Sequence, residues 1–585
     1  MRRLFSYIGR YWHRYTFGIF CTLVTATLGM TIPYLVRDAI DAIQADQPRQ
    51  LAFLFKLICA AALLGGVARW FSRFVIFNCG RDIEYNLRND LFGHLVKLGP
   101  DFYERLKTGD LMSRLINDLT AVRMMIGMGV LTFTNTPLIW VLSLSVMLSL
   151  SPRLTLASIA PYLVLFFVMY RLSHSIMERS LRVQEGIGAI GAKIQEGLSG
   201  IHIVKAYTLE AHQGAQFREL NDSYNEQGLA LARIRGALLP LIRGAAATST
   251  MIVLIYGGSL VMAHQISIGD LVAFMSYLVA LAWPTTSLGW TISLYQRGRA
   301  AMKRLAEIFE TSSTAMLEDG GELRLELAGA VAWEGVSFSY FAGRNGGGNG
   351  VAPVYALRDI NVTVGPGEKL AIVGRTGAGK STMVKLLTRM VEPSAGRVTI
   401  DGRDIRELPL GGLRRAVGVV PQEPLLFSDT MARNIAFGRI DAPRAEIAEA
   451  AHVAGLDGDI AVLPRGLDTV VGERGMSLSG GQKQRVTIAR LLAYNPAIVV
   501  LDDALSSVDT ETERAVLESL GQSVRGHTTI VVSHRASTVR DADQIIVLDQ
   551  GAIAERGTHE ELMARRGVYA ELFHRQLLEE ELTRY

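Results

Sequence analysis

The sequence predicts an α-helical membrane domain of six transmembrane helices, followed by an α/β domain built on a largely parallel sheet. Three observations predict it. Six apolar runs of about the length a bilayer requires, roughly 20 residues, all begin before residue 300. Beyond residue 326, short β-rich runs alternate with helical segments, as in a sheet joined by crossover helices. One of those runs passes directly into a glycine-rich loop that opens a helix.

Composition agrees. Of 585 residues, 49% are hydrophobic and 20% charged. That excludes a disordered chain, a fibrous protein and a fully soluble enzyme. A net charge of +4 is too small to argue for nucleic acid as a partner. Cys21, Cys59 and Cys79 sit in apolar stretches and supply neither a disulfide framework nor a zinc spacing.

The six apolar segments are roughly 15–36, 53–78, 126–150, 154–172, 238–262 and 271–295. The first begins too late and runs too long for a cleavable signal. Pro33, Pro137, Pro161 and Pro284 fall in or near these segments, where neighbouring helices accommodate them. The connections at 79–125 and 173–237 are long, polar and rich in helix formers, so they read as helices continuing out of the membrane. Each carries seven Lys or Arg, against three in all the short connections together. The positive-inside rule therefore puts both termini and both long loops in the cytoplasm. Arg69 and Arg73 share one helix face near the inner end of the second span, and Arg243 lies early in the fifth. Two readings stay open for them: snorkelling to headgroups, or a basic lining at the inner mouth of a substrate path.

Gln296–Glu310 reads as a polar extension of the sixth span. The expected organisation is a transmembrane domain at 1–310, a linker at 311–325, a nucleotide-binding domain at 326–575 and a tail at 576–585. The strand Lys369–Val373 leads into Gly374, Arg375, Thr376, Gly377, Ala378, Gly379, Lys380 and Ser381. This is the G-x-x-x-x-G-K-[ST] phosphate loop, in its required setting of strand, loop and helix. Its backbone N–H groups and the helix N-terminus suit phosphate. Lys380 would reach the β- and γ-phosphates of ATP, and Ser381 would hold Mg²⁺. Thr382 is a further candidate nucleotide contact. The apolar strand Ile498–Leu501 ends in Asp502, which places a carboxylate beside the Mg²⁺. Between them, Ser479, Gly480, Gly481 and Gln482 open another helix whose N-terminus is free to approach phosphate.

Leu478–Gln482 resembles the signature pentad of the ATP-binding cassette (ABC) family, and other family motifs accompany it in order. Tyr340 looks like the aromatic residue that stacks on adenine. Gln422 resembles the glutamine that senses Mg²⁺ and the transmembrane part. Glu473-Arg474-Gly475 resembles a short exporter loop, and Ser506-Ser507-Val508-Asp509 the loop that crosses to the other subunit. His534 looks like the switch histidine at the γ-phosphate. In the membrane half, Thr108–Leu115, Gln195–Gly200, Val204–Tyr207 and Gly269-Asp270-Leu271 are similar to segments of the exporter branch. The resemblance covers nearly the whole chain and is to half-transporters of the B-type multidrug and lipid exporter group. It implies the type IV ABC exporter fold joined to an α/β P-loop ATPase domain, with ATP and Mg²⁺ as cofactors. It further implies a second ABC half-transporter as partner, membrane lipids around the spans, a small amphipathic substrate, and a place in the bacterial inner membrane. Coupling helices at the loop tips would dock into the cassettes, mainly the partner's.

The candidate catalytic set is thus Lys380, Gln422, Asp503 and His534, with Ser381, Gln422 and Asp502 at the metal. One departure bears on mechanism. The family's usual pair after the strand is Asp then Glu, and here it is Asp502-Asp503. Asp503 is one methylene shorter, which withdraws the carboxylate by about 1.5 Å. A misplacement of about 1 Å can cost roughly 10²-fold in rate. The site on this chain's phosphate loop is therefore expected to bind ATP and hydrolyse it slowly, while its signature completes a competent site on a partner that carries the Glu. A homodimer with a working Asp503, an importer on the exporter fold and a non-pumping regulatory protein stay open. Phe341–Pro353 is glycine-rich and reads as a flexible hairpin tip without chemistry.

Overall fold

The computed structural model describes residues 1–106, 108–311, 325–340, 355–472, 478–508, 510–533 and 536–583. The chain divides into two compact units. The first comprises 1–93 and 109–310, and the second 94–108 and 311–585.

Among the described residues, six helices, nearly all within the first unit, are long and apolar enough to cross a membrane: Trp12–Gln44, Pro48–Lys97, Thr108–Leu150, Pro152–Ser199, Glu210–Met262 and Ile268–Glu310. They are called spans one to six below. Span two has 50 residues. At 1.5 Å per residue that is about 75 Å, more than twice the hydrocarbon thickness of a bilayer. The apolar segments therefore mark only part of each helix, and the long polar connections are mostly helix. Two short helices, Pro100–Arg105 and Ile201–Ala206, sit at the tips of those connections. The first begins with Pro100 after Gly99 and has Asp101 in its first turn, favourable choices for a helix start. The tip containing it, 94–108, groups with the second unit of this same chain.

Pro33, Pro137, Pro161 and Pro284 lie inside helices that continue through them. Polar side chains tie the spans together. Thr22 and Ser72 share a hydrogen bond of 2.6 Å, and the Tyr277 hydroxyl donates to the Met30 carbonyl at 2.8 Å. Near the start of span six, Asp41 accepts from the Ser267 hydroxyl at 2.9 Å and from the Gly269 N–H at 3.1 Å. Arg37 pairs with Asp270 at 2.7 Å. Gly269-Asp270 is thus the seam that joins spans one and six. Spans four and five pack mainly on each other. Leu156, Leu163, Phe166, Phe167 and Tyr170 of span four stay exposed, and within Glu210–Ile252 only Leu231 and Ser249 are buried.

Among its described residues the second unit contains ten strands: β1 (Val331–Phe338), β2 (Leu357–Val364), β3 (Lys369–Gly374), β4 (Ala395–Ile400), β5 (Arg403–Asp404), β6 (Val417–Val420), β7 (Ile498–Asp502), β8 (Thr528–Val532), β9 (Gln544–Asp549) and β10 (Ala552–Gly557). They form a four-stranded antiparallel sheet, β2-β1-β4-β5, and a six-stranded sheet, β10-β9-β3-β8-β7-β6. The larger sheet is parallel from β9 to β6, with β10 as an antiparallel edge. Strands β7 and β8 are buried at every position, as parallel strands covered on both faces must be. The C-terminal ends of β3, β6, β7 and β8 share one edge, the usual place for a ligand in such sheets.

Candidate active site

Strand β3 ends at Gly374, and the helix Lys380–Leu387 begins after five intervening residues. Gly379, its N-cap, has φ +102°, and a Cβ there would lie 2.5 Å from the Ala356 carbonyl oxygen. Only glycine fits. Lys380 is buried, and its ammonium folds back over the loop to donate to the carbonyls of Gly374 at 2.8 Å and Arg375 at 3.0 Å. Burial lowers its pKa from the ordinary lysine value, and the negative charges of Asp503 and Asp502 oppose that shift. Two of the three ammonium donors are engaged, which leaves the third for a phosphate oxygen.

Ser381 donates to Asp502 Oδ1 at 3.2 Å. Asp502 is buried at the end of β7, two strands from β3 in the sheet. A hydroxyl and a buried carboxylate at this distance are hard oxygen donors of the kind Mg²⁺ takes. Tyr340 follows β1. Its hydroxyl and that of Thr382 are 3.2 Å apart, its ring meets Phe338 edge-on at 4.8 Å, and the Lys385 ammonium lies 5.5 Å from its ring centre. The Thr382 hydroxyl thus steadies the aromatic platform. Arg375 lies on the surface, 3.7 Å from Glu571.

Asp503 turns sharply after β7, with φ +50°, a conformation that Asp tolerates better than most residues. Its N–H donates to the Val532 carbonyl at 2.8 Å, and its carbonyl accepts from the Ser506 N–H at 3.3 Å. Gln422 follows β6 at the same sheet edge and is exposed. His534, Asp509, Glu473-Arg474-Gly475 and Phe341–Pro353 lie outside the described residues.

Ser479, Gly480, Gly481 and Gln482 open the helix Gly480–Tyr494 through a capping box. Ser479 Oγ accepts from the Gln482 N–H at 3.3 Å, and Gln482 Oε1 accepts from the Ser479 N–H at 2.8 Å. Gln482 Nε2 then donates to Asp459 at 2.7 Å, and Asp459 also pairs with Arg485 at 2.8 Å. The Gln482 side chain, expected among the nucleotide contacts, also holds the cap. Gly480 and Gly481 keep the helix N-terminus bare. A Cβ on Gly481 would come within 2.9 Å of the Ser507 carbonyl oxygen.

Sequence reading missed two residues here. Gln484 is buried. Its Nε2 donates to Ser506 Oγ at 3.0 Å, and its Oε1 accepts from the Ser507 N–H at 2.9 Å. It therefore joins the signature helix to the crossing loop. The available signal was an amide on the apolar face of an amphipathic helix. Asp459 gave no signal, because its partners lie more than 20 residues away. Within one chain, Lys380, Ser381, Thr382, Tyr340, Asp502 and Asp503 gather at the phosphate loop. No hydrogen bond or ion pair joins the signature to that loop among the described residues.

Comparison with known proteins agrees with this geometry. The profile of the ABC transporter transmembrane region matches residues 15–285, and that of the ABC transporter domain matches 357–506. YheI of Bacillus subtilis, a probable multidrug resistance ABC transporter ATP-binding/permease protein, is 36% identical over 99% of this chain and 98% of its own length. The chain belongs to the ABC transporter family. This ABC exporter is also similar to the ATP-dependent lipid A-core flippase of Syntrophus aciditrophicus, at 32% identity over 97% of this chain and 93% of the flippase. A bacterial Atm1-family ABC exporter, solved with ATP bound, superposes with a TM-score of 0.79 at 30% identity, covering 96% of this chain and 98% of that one. The exporter is an integral membrane protein with a six-helix transmembrane region and an ATP-binding α/β domain that hydrolyses ATP.

Proposed function

We propose that this exporter is one half of a heterodimer, that it moves amphipathic or lipid-like molecules by alternating access, and that it carries the slower of two ATP sites. The observation that carries this reading is the fixed backbone at Asp503. Main-chain hydrogen bonds on both sides, to Val532 and from Ser506, hold its Cα in place. The chain therefore does not advance to offset a carboxylate about 1.5 Å short, and the attacking water is poorly placed. The signature, by contrast, is fully assembled. The economical arrangement lends that signature to a partner with the longer carboxylate.

The residues fit ATP and Mg²⁺. Lys380 would bind the β- and γ-phosphates, Tyr340 would stack on adenine, and Ser381, Asp502 and Gln422 would hold Mg²⁺, which neutralises developing phosphate charge when bound. His534 would touch the γ-phosphate, and the bare N-terminus at Ser479–Gly481 would face a partner's ATP. The exposed spans four and five support a second chain packed against them. ATP shifts the equilibrium because the closed pair binds it better than the open one. The arginine-rich loops support cytoplasmic termini, and the bacterial relatives, with their multidrug and lipid A-core names, support an inner-membrane site and amphipathic cargo. The domain limits 1–310, 311–325, 326–575 and 576–585 complete the reading. Affinity purification of the chain from its native membrane tests it: a second, different half-transporter in equal amount is expected, and a pure homodimer overturns the heterodimer.

A further inference from the structure

Thr382 and Lys385 are three residues apart on the helix Lys380–Leu387, so they are neighbours on one side of it. Both reach Tyr340. The Thr382 hydroxyl meets the Tyr340 hydroxyl at 3.2 Å, and the Lys385 ammonium lies over the Tyr340 ring, 5.5 Å from its centre. That is within the range at which a cation is drawn to the negative face of an aromatic ring. Lys385 is half-buried, which limits the water that would screen the attraction. Tyr340 itself stays 40% exposed, so part of the ring is open. The helix that receives the phosphate loop thus also carries two of the contacts that hold the ring. Five residues of helix, about 7.5 Å along its axis, separate Lys380 at the phosphates from Lys385 at the ring.

We propose that Lys385 is a positioning residue for the adenine base, acting through Tyr340, with the base on the opposite face of the ring. A cation over one face draws π density toward itself. The far face then repels the π density of adenine less, and stacking strengthens. The ammonium also anchors the ring, as the Thr382 hydroxyl anchors its edge. Both effects belong to the base. Phosphate recognition is the work of the glycine-rich loop, Lys380 and the helix N-terminus, and Lys385 adds nothing to it. The inference rests on the stacking of adenine on Tyr340 proposed above and names a second side chain that sets its strength.

The test measures equilibrium binding to the full chain in lipid nanodiscs with Mg²⁺. One probe is AMP-PNP, a non-hydrolysable ATP analogue, and the other is inorganic tripolyphosphate, which has no base. Lys385→Met should weaken AMP-PNP binding by about threefold or more and leave tripolyphosphate binding unchanged, which also shows that the loop is intact. Lys385→Arg should restore most of the loss, because a guanidinium engages aromatic faces too. In a Tyr340→Leu background, Lys385→Met should cost nothing further. Equal losses in both backgrounds, or a parallel loss of tripolyphosphate, would place Lys385 on the phosphates or in the fold and overturn the proposal. An unchanged AMP-PNP affinity in Lys385→Met overturns it as well. Tyr340→Leu alone judges the stacking reading. If that variant binds AMP-PNP as tightly as the native chain, the stacking reading falls and the inference with it. If it binds more weakly but shows no coupling to Lys385, only the inference falls.

Discussion

Gln484 donates to Ser506 Oγ at 3.0 Å while the same side-chain amide accepts from the next residue's N–H at 2.9 Å. The signature helix and the loop after Asp503 therefore move as one piece. Gln484→Met removes both bonds and leaves the Ser507 N–H without its side-chain acceptor. A loss of about 1–3 kcal/mol in cassette stability is expected, read as a lower unfolding midpoint in urea. Gln484→Glu keeps the acceptor, and the Ser506 hydroxyl can turn to donate, so it should lose much less. Equal losses for both would show that packing, not the amide, is what matters.

Lys380 gives a pH signature. Burial lowers its pKa below the ordinary 10.5, whereas a bound phosphate raises it. Below the lowered value the lysine is charged in both states, and this group adds no pH dependence to ATP binding. As pH rises through that value, the free protein loses the proton and ATP must restore it. Affinity should therefore fall on the alkaline side, with net proton uptake on binding. Calorimetry in two buffers of different ionisation enthalpy measures that uptake, and Lys380→Met should abolish it.

Gly379→Ala should destroy nucleotide binding while sparing most of the fold. The added Cβ meets the Ala356 carbonyl oxygen at 2.5 Å in a backbone with φ +102°, so the loop must move. ATP affinity is expected to drop at least tenfold in a filter-binding assay, and an unchanged affinity would contradict the loop geometry described here.

Tyr340→Ala removes the ring proposed to stack on adenine and should weaken ATP binding by about 1–3 kcal/mol, the usual range for base stacking on an aromatic ring. Tyr340→Phe keeps the ring but loses the hydrogen bond to Thr382, so only a small loss is expected. The ratio of the two affinities separates stacking from anchoring.

The parts of the site that act through backbone were legible in the sequence. A phosphate loop and a bare helix N-terminus are local structures, and Gly374–Ser381 and Ser479–Gly481 encode them in a few consecutive residues. The parts that act through distant side chains were not. Asp459 and Gln484 hold the signature through contacts that span more than 20 residues, and nothing adjacent to them announces it. Gln482 is a candidate nucleotide contact because its place in the pentad is local, whereas its hydrogen bond to Asp459 is a tertiary contact that the pentad does not announce. In the membrane half, hydropathy located the spans but not their ends. Apolar character stops at the bilayer surface, while the helical hydrogen-bond ladder of Pro48–Lys97 runs on. The shared face of Arg69 and Arg73 follows from their spacing. That both line one cavity among the spans, and Arg243 does not, depends on how the spans pack.

The steady-state ATPase rate of the purified chain alone in lipid, beside that of its Asp503→Glu variant, tests the central claim most directly. A slow rate for the native chain and a rise of at least tenfold for the variant are expected. A brisk native rate, abolished by Asp503→Asn and not improved by Glu, would contradict it.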